Sequence, residues 1–181
     1  MEADEAHELQ EHAEHGAHEP AMRPVAFTMS VLAVLVAVTT VLGHRTHTDA
    51  VLYQNKATDQ WNLYQAKKIR SNNTHLASDL LSVMTVTDKA TAAKIAKSYA
   101  EHQAKWTADL KQEQEKAKAL EARVDHAEAR AGRFDLAEAL LEIGLVITSV
   151  TLLTRRRAYW YLGIVFALAG ILSSASVLLL H

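Results

Sequence analysis

Residues 25–43 (VAFTMSVLAVLVAVTTVLG) contain no charged side chain. At about 1.5 Å per residue, a helix of this length spans about 28 Å, close to the roughly 30 Å thickness of a bilayer's hydrocarbon core. The alternative, a cleaved signal peptide, needs a basic leader and a small-residue cleavage site. The preceding residues are acidic, and VTTVLGHRTHT offers no such site. We therefore predict a permanent transmembrane helix over residues 24–43.

Two further apolar segments, residues 134–154 and 158–180, lie in the second half of the chain, separated by three arginines. So short a connection predicts a tight hairpin of two membrane helices. Positive residues near the ends of membrane spans tend to stay in the cytoplasm, and aromatic rings prefer the headgroup region. The predicted cytoplasmic turn is therefore residues 155–157. The residues that set topology and interface are Arg155, Arg156, Arg157, Tyr159, Trp160 and Tyr161.

With three spans, a cytoplasmic turn at residues 155–157 places the N-terminus in the cytoplasm and residues 44–133 on the extracytoplasmic side. The many Lys and Arg residues of that intervening segment oppose this orientation. Long translocated domains largely escape the positive-inside rule, however, so we keep the prediction.

The segment of residues 44–133 has no proline, and its only glycine is Gly132. Little in it would stop a helix. Residues 71–73 (SNN) predict a turn, with Thr74 capping a short helix, and the pair Thr87 and Asp88 predicts a second N-cap. Beyond Asp88, side chains suited to a helix interface recur at spacings of three and four, which predicts a helical hairpin resembling a coiled coil. This stripe is Ile95, Tyr99, His102, Trp106, Leu110, Glu113, Ala117, Leu120, Val124 and Ala127.

The stripe is thin, because alanines and polar residues occupy several of its positions. An isolated hairpin would bury little apolar area and would have low stability. Pairing two or more copies into a bundle would bury more, so we expect a homo-oligomer. The aromatic residues could instead stack on a ligand, but aromatic side chains at helical spacing are more often core. The predicted domain core is Trp61, Tyr64, Tyr99, Trp106 and Leu110.

Two segments, residues 57–70 (ATDQWNLYQAKKIR) and residues 133–157 (RFDLAEALLEIGLVITSVTLLTRRR), resemble the signatures of a bacterial membrane family, domain of unknown function 4337. The N-terminal stretches MEADEAHE and EHAEHGAH are similar to that family as well. The resemblance implies a small bacterial inner-membrane protein with an anchor, a helical domain and a terminal membrane hairpin. It brings no catalytic residues.

Three acids of the predicted second span, Asp135, Glu138 and Glu142, are three and four residues apart and share one helix face. An acid inside a membrane is costly and marks a functional site by default. If the helix enters the hydrocarbon later, only Glu142 is buried, as a neutral carboxyl. Hydroxyl residues at matching depth extend the face into a polar layer, which would be structural glue or an ion or proton path. These are Thr39, Thr40, Ser173, Ser174 and Ser176; the predicted charge partners of Asp135 and Glu138 are His44 and Arg45.

On the third span, small residues recur at intervals of four, three and four. This pattern predicts a groove for close helix packing, within the hairpin or between copies. The four residues are Gly163, Ala167, Gly170 and Ser174.

The tail, residues 1–23, carries seven acidic residues and one basic residue, which gives no support for nucleic-acid binding. Its His12, His15 and His18 recur every third residue and would bind zinc or nickel weakly if the tail were helical. A solvated, disordered, low-complexity segment is the preferred interpretation. We therefore predict no metal site and no cofactor.

The chain has no cysteine, nucleophile elbow, phosphate loop or closed metal site, so we do not expect an enzyme. The leading hypothesis is a non-catalytic oligomeric scaffold or accessory subunit in contact with membrane lipid, whose helical domain meets an unknown protein partner. One alternative is an oligomeric ion or proton channel or transporter lined by Glu138 and Glu142. Another is a sensory input module that depends on a separate signalling partner.

Overall fold

The computed structural model describes residues 21–85 and 87–177, which form long helices and short connections with no strand among them. Helix α1 spans Arg23–Val83, α2 spans Lys89–Thr154 and α3 spans Arg157–Ser176. The tail histidines His12, His15 and His18, and the last residues of the predicted third span, lie outside the described residues.

Each of the three helices contains a stretch long and apolar enough to cross a membrane. The all-α prediction with three such helices is confirmed, and the chain has the helices of a membrane protein.

Helix α1 runs without a break through residues 71–73, so the predicted turn there is wrong. Thr74 does not cap a new helix; its hydroxyl donates to the Arg70 carbonyl at 3.0 Å, the usual bond of a hydroxyl within a helix. Serine and asparagine lower helix propensity only modestly, and the segment has neither glycine nor proline to end the helix. Continuation of the helix is therefore the better solution.

Asp88 caps α2, as predicted. Its Oδ1 accepts hydrogen bonds from the main-chain amides of Ala90 and Thr91, both at 3.0 Å. The Thr91 hydroxyl donates to Oδ2 at 2.5 Å. The Thr91 hydroxyl and these amides hold the pKa of Asp88 below its usual value, since each bond favours the charged carboxylate.

Helices α2 and α3 are joined by only two residues, and the third arginine of the run is already helical. Arg155 has a φ of 55°, which is uncommon for a residue with a side chain. Arg156 is extended and precedes the first residue of α3. One left-handed residue thus reverses the chain in the tight connection that the sequence predicts.

The chain divides into two compact units. Among the described residues, unit 1 comprises residues 21–49 and 126–177. Its core brings together side chains from all three helices, while many large aliphatic side chains point outward, as expected for helices solvated by hydrocarbon. The core residues are Met29, Leu32, Val36, Leu141, Leu145 and Ala167.

Unit 2, Ala50–Asp125, pairs the second half of α1 with the first half of α2. Its fully buried residues are small or polar, with Val124 the largest aliphatic one: Ala50, Ala57, Glu113, Ala117 and Val124. The aromatic and leucine residues predicted as domain core, Trp61, Tyr64, Tyr99, Trp106 and Leu110, are half-buried.

Two positions of the predicted stripe on α2 differ from expectation. His102 is exposed, and Gln103 takes the half-buried position instead. Ile95 is also exposed. The reason is helical phase, because residues 99, 103 and 106 continue the alternation of four and three that the buried residues of α2 follow.

Candidate functional site

The acidic face of α2 lies in unit 1, and its members have different surroundings. Asp135 is exposed, whereas Glu138 and Glu142 are half-buried one and two turns further along the helix. The contacts described below join the first two acids to α1.

Glu138 contacts the predicted hydroxyl Thr40. The Thr40 hydroxyl lies 2.5 Å from Glu138 Oε1 and 3.0 Å from the Val36 carbonyl of its own helix. The Thr40 hydroxyl donates to Glu138, and the pair thereby ties α1 to α2.

Asp135 is bound by a histidine that the sequence reading did not select. His47 Nε2 lies 2.9 Å from Asp135 Oδ1 and 3.1 Å from Oδ2, and both side chains are 53% exposed. The structure pairs Asp135 with His47 and Glu138 with Thr40, in place of the predicted partners His44 and Arg45. Asp135 also lies 3.9 Å from a Cβ built on Gly43.

Of the remaining predicted hydroxyl residues, two donate hydrogen bonds to main-chain carbonyls, and the other two are buried or half-buried. Ser173 donates to the Arg133 carbonyl at 3.1 Å and thereby joins α3 to α2. Ser176 donates to the Ser173 carbonyl of its own helix at 2.6 Å. Thr39 is buried and Ser174 is half-buried.

The small residues of α3 face α2 at very short range. A Cβ placed on Gly163 would lie 2.1 Å from the Thr148 hydroxyl and 2.7 Å from the Gly144 carbonyl. A Cβ on Gly170 would lie 2.9 Å from the Ala137 carbonyl. Within unit 1, Gly163 and Gly170 therefore allow two backbones to approach more closely than any side chain would permit.

Several contributors to this packing were not selected from the sequence. Gly144 and Thr148 on α2 are four residues apart. This is the small-residue spacing that predicted the packing groove on α3, so the sequence contained a signal for this contact. Thr148 is fully buried and donates to the Gly144 carbonyl at 2.7 Å. Trp160 donates to Thr28 at 3.2 Å. This contact joins α3 to α1, and no local sequence pattern predicts it.

Unit 2 has its own polar cluster, centred on Glu113. Lys67 donates to Glu113 Oε1 at 2.9 Å, and the Gln60 amide donates to Oε2 at 2.5 Å. Lys116, one turn away on α2, lies 3.5 Å from Oε2. The Glu113 side chain is only 10% exposed, so a carboxylate within the helix pair is held by groups from both helices.

These contacts lower the pKa of Glu113 to about 2 from an ordinary value of 4.5. The hydrogen bond from Lys67 is the largest cause and that from Gln60 the next; the charges of Lys116 and Lys67 contribute less. Glu113 is consequently a carboxylate at neutral pH, and it joins Gln60 and Lys67 of α1 to α2.

The aromatic residues of unit 2 also link its two helices. Trp61 donates through Nε1 to Glu121 at 2.8 Å and meets Tyr64 edge to face at 5.4 Å between ring centres. The Arg123 guanidinium lies 5.9 Å from the Tyr53 ring centre. Such contacts favour a core and helix-pairing role over a ligand-stacking role.

In residues 21–85 and 87–177, no group of three or more His, Asp or Glu side chains is placed to hold a metal ion. The carboxyls of Asp135, Glu138 and Glu113 contact imidazole, hydroxyl, amide and ammonium groups of α1. Chemically, this arrangement joins helices.

A model of the family described as "Domain of unknown function (DUF4337)" matches residues 21–180. No curated protein and no solved structure matches the chain.

Proposed function

The chain belongs to the family of domain of unknown function DUF4337, and we propose that it is a non-catalytic, oligomeric scaffold or accessory subunit of the bacterial inner membrane. Residues 44–133 are its interaction domain, on the extracytoplasmic side, and the N-terminal residues and the turn at residues 155–157 are cytoplasmic.

The observation that carries this proposal is the use of the polar side chains. Thr40 with Glu138, His47 with Asp135, and Lys67 and Gln60 with Glu113 each join two helices of one chain. Groups that serve catalysis or conduction are expected to project into a cleft or a water-filled path. Here they act as helix connectors, which favours a structural protein.

An antiparallel coiled coil is the proposed packing of the interaction domain. The less exposed positions of α1 in unit 2 recur at residues 53, 57, 60, 64, 67, 71 and 74, alternating four and three. On α2, residues 110, 113, 117, 120 and 124 do the same. This seven-residue period is the period of coiled-coil seams.

The large apolar side chains that unit 2 leaves exposed support an oligomer. Its exposed large apolar side chains include Val51, Leu52, Leu63 and Ile69. Within an aqueous domain that buries mostly alanine, such side chains are better satisfied by another protein surface than by water.

The direct test is the mass of the full chain extracted with its surrounding lipid into nanodiscs, measured by native mass spectrometry. We expect a discrete oligomer. A monomer at every protein density would contradict the oligomeric scaffold.

Ion flux in liposomes tests the channel alternative. We expect no flux from the purified protein and normal assembly of Glu142→Gln, which keeps shape and hydrogen bonding. Flux in the native protein that stops in Glu142→Gln, with assembly unchanged, would establish a channel instead.

Accessibility labelling tests the orientation. Tags at the N-terminus and at residues 155–157 should be labelled from the cytoplasm, and a tag at Gln112 from the opposite side. Labelling of Gln112 from the cytoplasm would reverse the proposed topology.

A further inference from the structure

Near the end of α1, most of the large apolar side chains are exposed. Ile69, Leu76, Leu80 and Val83 are 49–79% exposed. The half-buried positions of the same stretch hold mainly small or hydroxyl residues, namely Ser71, Thr74, Ala77 and Ser78, with Leu81 the exception. The intrachain helix pair therefore does not account for the apolar pattern of this stretch.

The four exposed apolar residues and Asn73 form a regular line, which we call the outer seam: Ile69, Asn73, Leu76, Leu80 and Val83. Their spacings are four, three, four and three, the period of a coiled-coil seam. At about 100° per residue, the outer seam lies on almost the opposite side of α1 from the half-buried line at Ser71, Thr74 and Ser78. This stretch of α1 thus has two lines of side chains suited to helix packing. The contact with α2 within unit 2 covers only one of them.

We propose that the outer seam packs in parallel, and in register, against the outer seam of a second copy of this chain. The proposal rests on the oligomeric function proposed above and names its partner and its surface. Copies of one chain insert into a membrane with the same orientation, so a twofold axis along the membrane normal places identical residues opposite each other. Asn73 then meets Asn73, and a single asparagine in such a seam specifies a parallel pair and its register.

Charges beside the outer seam permit this pairing. In a parallel coiled coil, a residue that flanks the seam on one helix contacts a flanking residue on the other helix. The sequence numbers of these two residues differ by five. Arg70 then lies opposite Gln65, and Asp79 lies opposite Met84. No like charges are brought together.

The size of the outer seam favours a second copy over a soluble partner. Fourteen residue steps at about 1.5 Å give a strip about 21 Å long; taking a width of about 10 Å, two strips cover roughly 400 Å². A stable complex of soluble proteins generally needs more than about 1,000 Å². Two copies held in one membrane need less, because tethering raises their effective concentration.

Cysteine crosslinking in the full chain tests the pairing, and the native sequence contains no cysteine to interfere. Leu76→Cys and Leu80→Cys, oxidised in native membranes, should each give a disulfide-linked species of twice the monomer mass. The matched controls are His75→Cys and Ser82→Cys, which are also exposed but point about 130° away from the seam. We expect at least tenfold less crosslinking from them.

A second variant tests the energetics without disturbing the single-chain fold. Leu76→Ser combined with Leu80→Ser alters only exposed side chains, so the helix content measured by circular dichroism should stay unchanged. Crosslinking through Ile69→Cys should fall at least tenfold in that background. Unchanged crosslinking there would overturn the role of the seam.

The outcomes separate this inference from the proposed function. A discrete oligomer in nanodiscs without crosslinks at Leu76→Cys or Leu80→Cys overturns the outer seam and leaves the oligomeric scaffold standing. A monomer in both experiments overturns both. Equal crosslinking at seam and control positions, or a crosslinked species that is not twice the monomer mass, also rejects pairing with a second copy through this seam.

Discussion

The two units pair helices from the same long segments of chain by different means. Unit 1 combines a core of large aliphatic side chains with backbone contacts at Gly144 and Gly163. Unit 2 buries mainly alanine and one carboxylate, Glu113, which is held from both helices. Helix pairing in unit 1 depends on the complementary shape of the packed helices. Helix pairing in unit 2 depends on a polar cluster and a thin apolar line.

In the arrangement proposed above, this difference follows from the solvent, which is hydrocarbon around unit 1 and water around unit 2. Hydrocarbon provides no hydrophobic drive for helices to associate, so close packing and interhelical hydrogen bonds must supply the stability. Water provides that drive, but only in proportion to the apolar area buried. Unit 2 buries little, so a specific polar cluster and an additional surface matter more to it.

The largest effect is expected from Gly163→Ala in unit 1. Alanine normally stabilises a helix by about 1 kcal/mol relative to glycine. At Gly163 the new Cβ would meet Thr148 and the Gly144 backbone, and such overpacking costs about 1–3 kcal/mol. Denaturation in detergent micelles, followed by circular dichroism, should show net destabilisation.

Gly132→Ala is the matched control, because a Cβ at Gly132 would have no atom within 4 Å. It should leave stability unchanged or raise it. If both alanines stabilise the protein equally, close backbone packing is not what holds unit 1 together.

The next effect concerns Glu113 and acid. Its folded pKa of about 2 lies below the ordinary 4.5, so its stabilisation is complete above pH 4.5 and is lost as the pH falls towards about 2. Hydrogen exchange of the unit 2 amides should become faster over this range. In Glu113→Gln that part of the acid sensitivity should disappear.

Glu115→Gln is the control for this experiment, since Glu115 is exposed and two residues away. It should retain the native acid response. An identical response in all three proteins would show that the Glu113 cluster does not stabilise unit 2.

A smaller loss is expected from Thr40→Val, which removes the hydroxyl bonded to Glu138 and keeps the shape. Hydrogen bonds between membrane helices are worth about 0.6–2 kcal/mol. The same denaturation assay should show a loss within this range. Thr28→Val, which removes the Trp160 contact, provides a comparison at another helix pair.

The smallest effect is expected from His47→Ala. The His47 and Asp135 side chains are half exposed, and exposed ion pairs contribute about 0–1 kcal/mol. The loss in the same denaturation assay should be smaller than that of Thr40→Val. A loss larger than that of Thr40→Val would mean that this pair is more deeply buried in the membrane than its exposure indicates.

Part of the candidate site could be predicted because it depends on helical periodicity alone. Spacings of three and four place Asp135, Glu138 and Glu142 on one face, and depth matching selected Thr40 as a neighbour. The partner of Asp135 could not be obtained in this way. Choosing between His44, Arg45 and His47 requires the rotation of α1 against α2, which side-chain packing along the whole contact determines.

The amino-acid sequence by itself determined the helices, their apolar stretches and the Asp88 cap, because each follows from local hydrogen bonding, propensity and solvent preference. Tertiary structure alone decided that Gln103 replaces His102 at the interface, and that Ile69, Leu76, Leu80 and Val83 face outward. Those outcomes depend on which face of a helix meets its partner, and that is set by packing along the whole contact rather than by local periodicity.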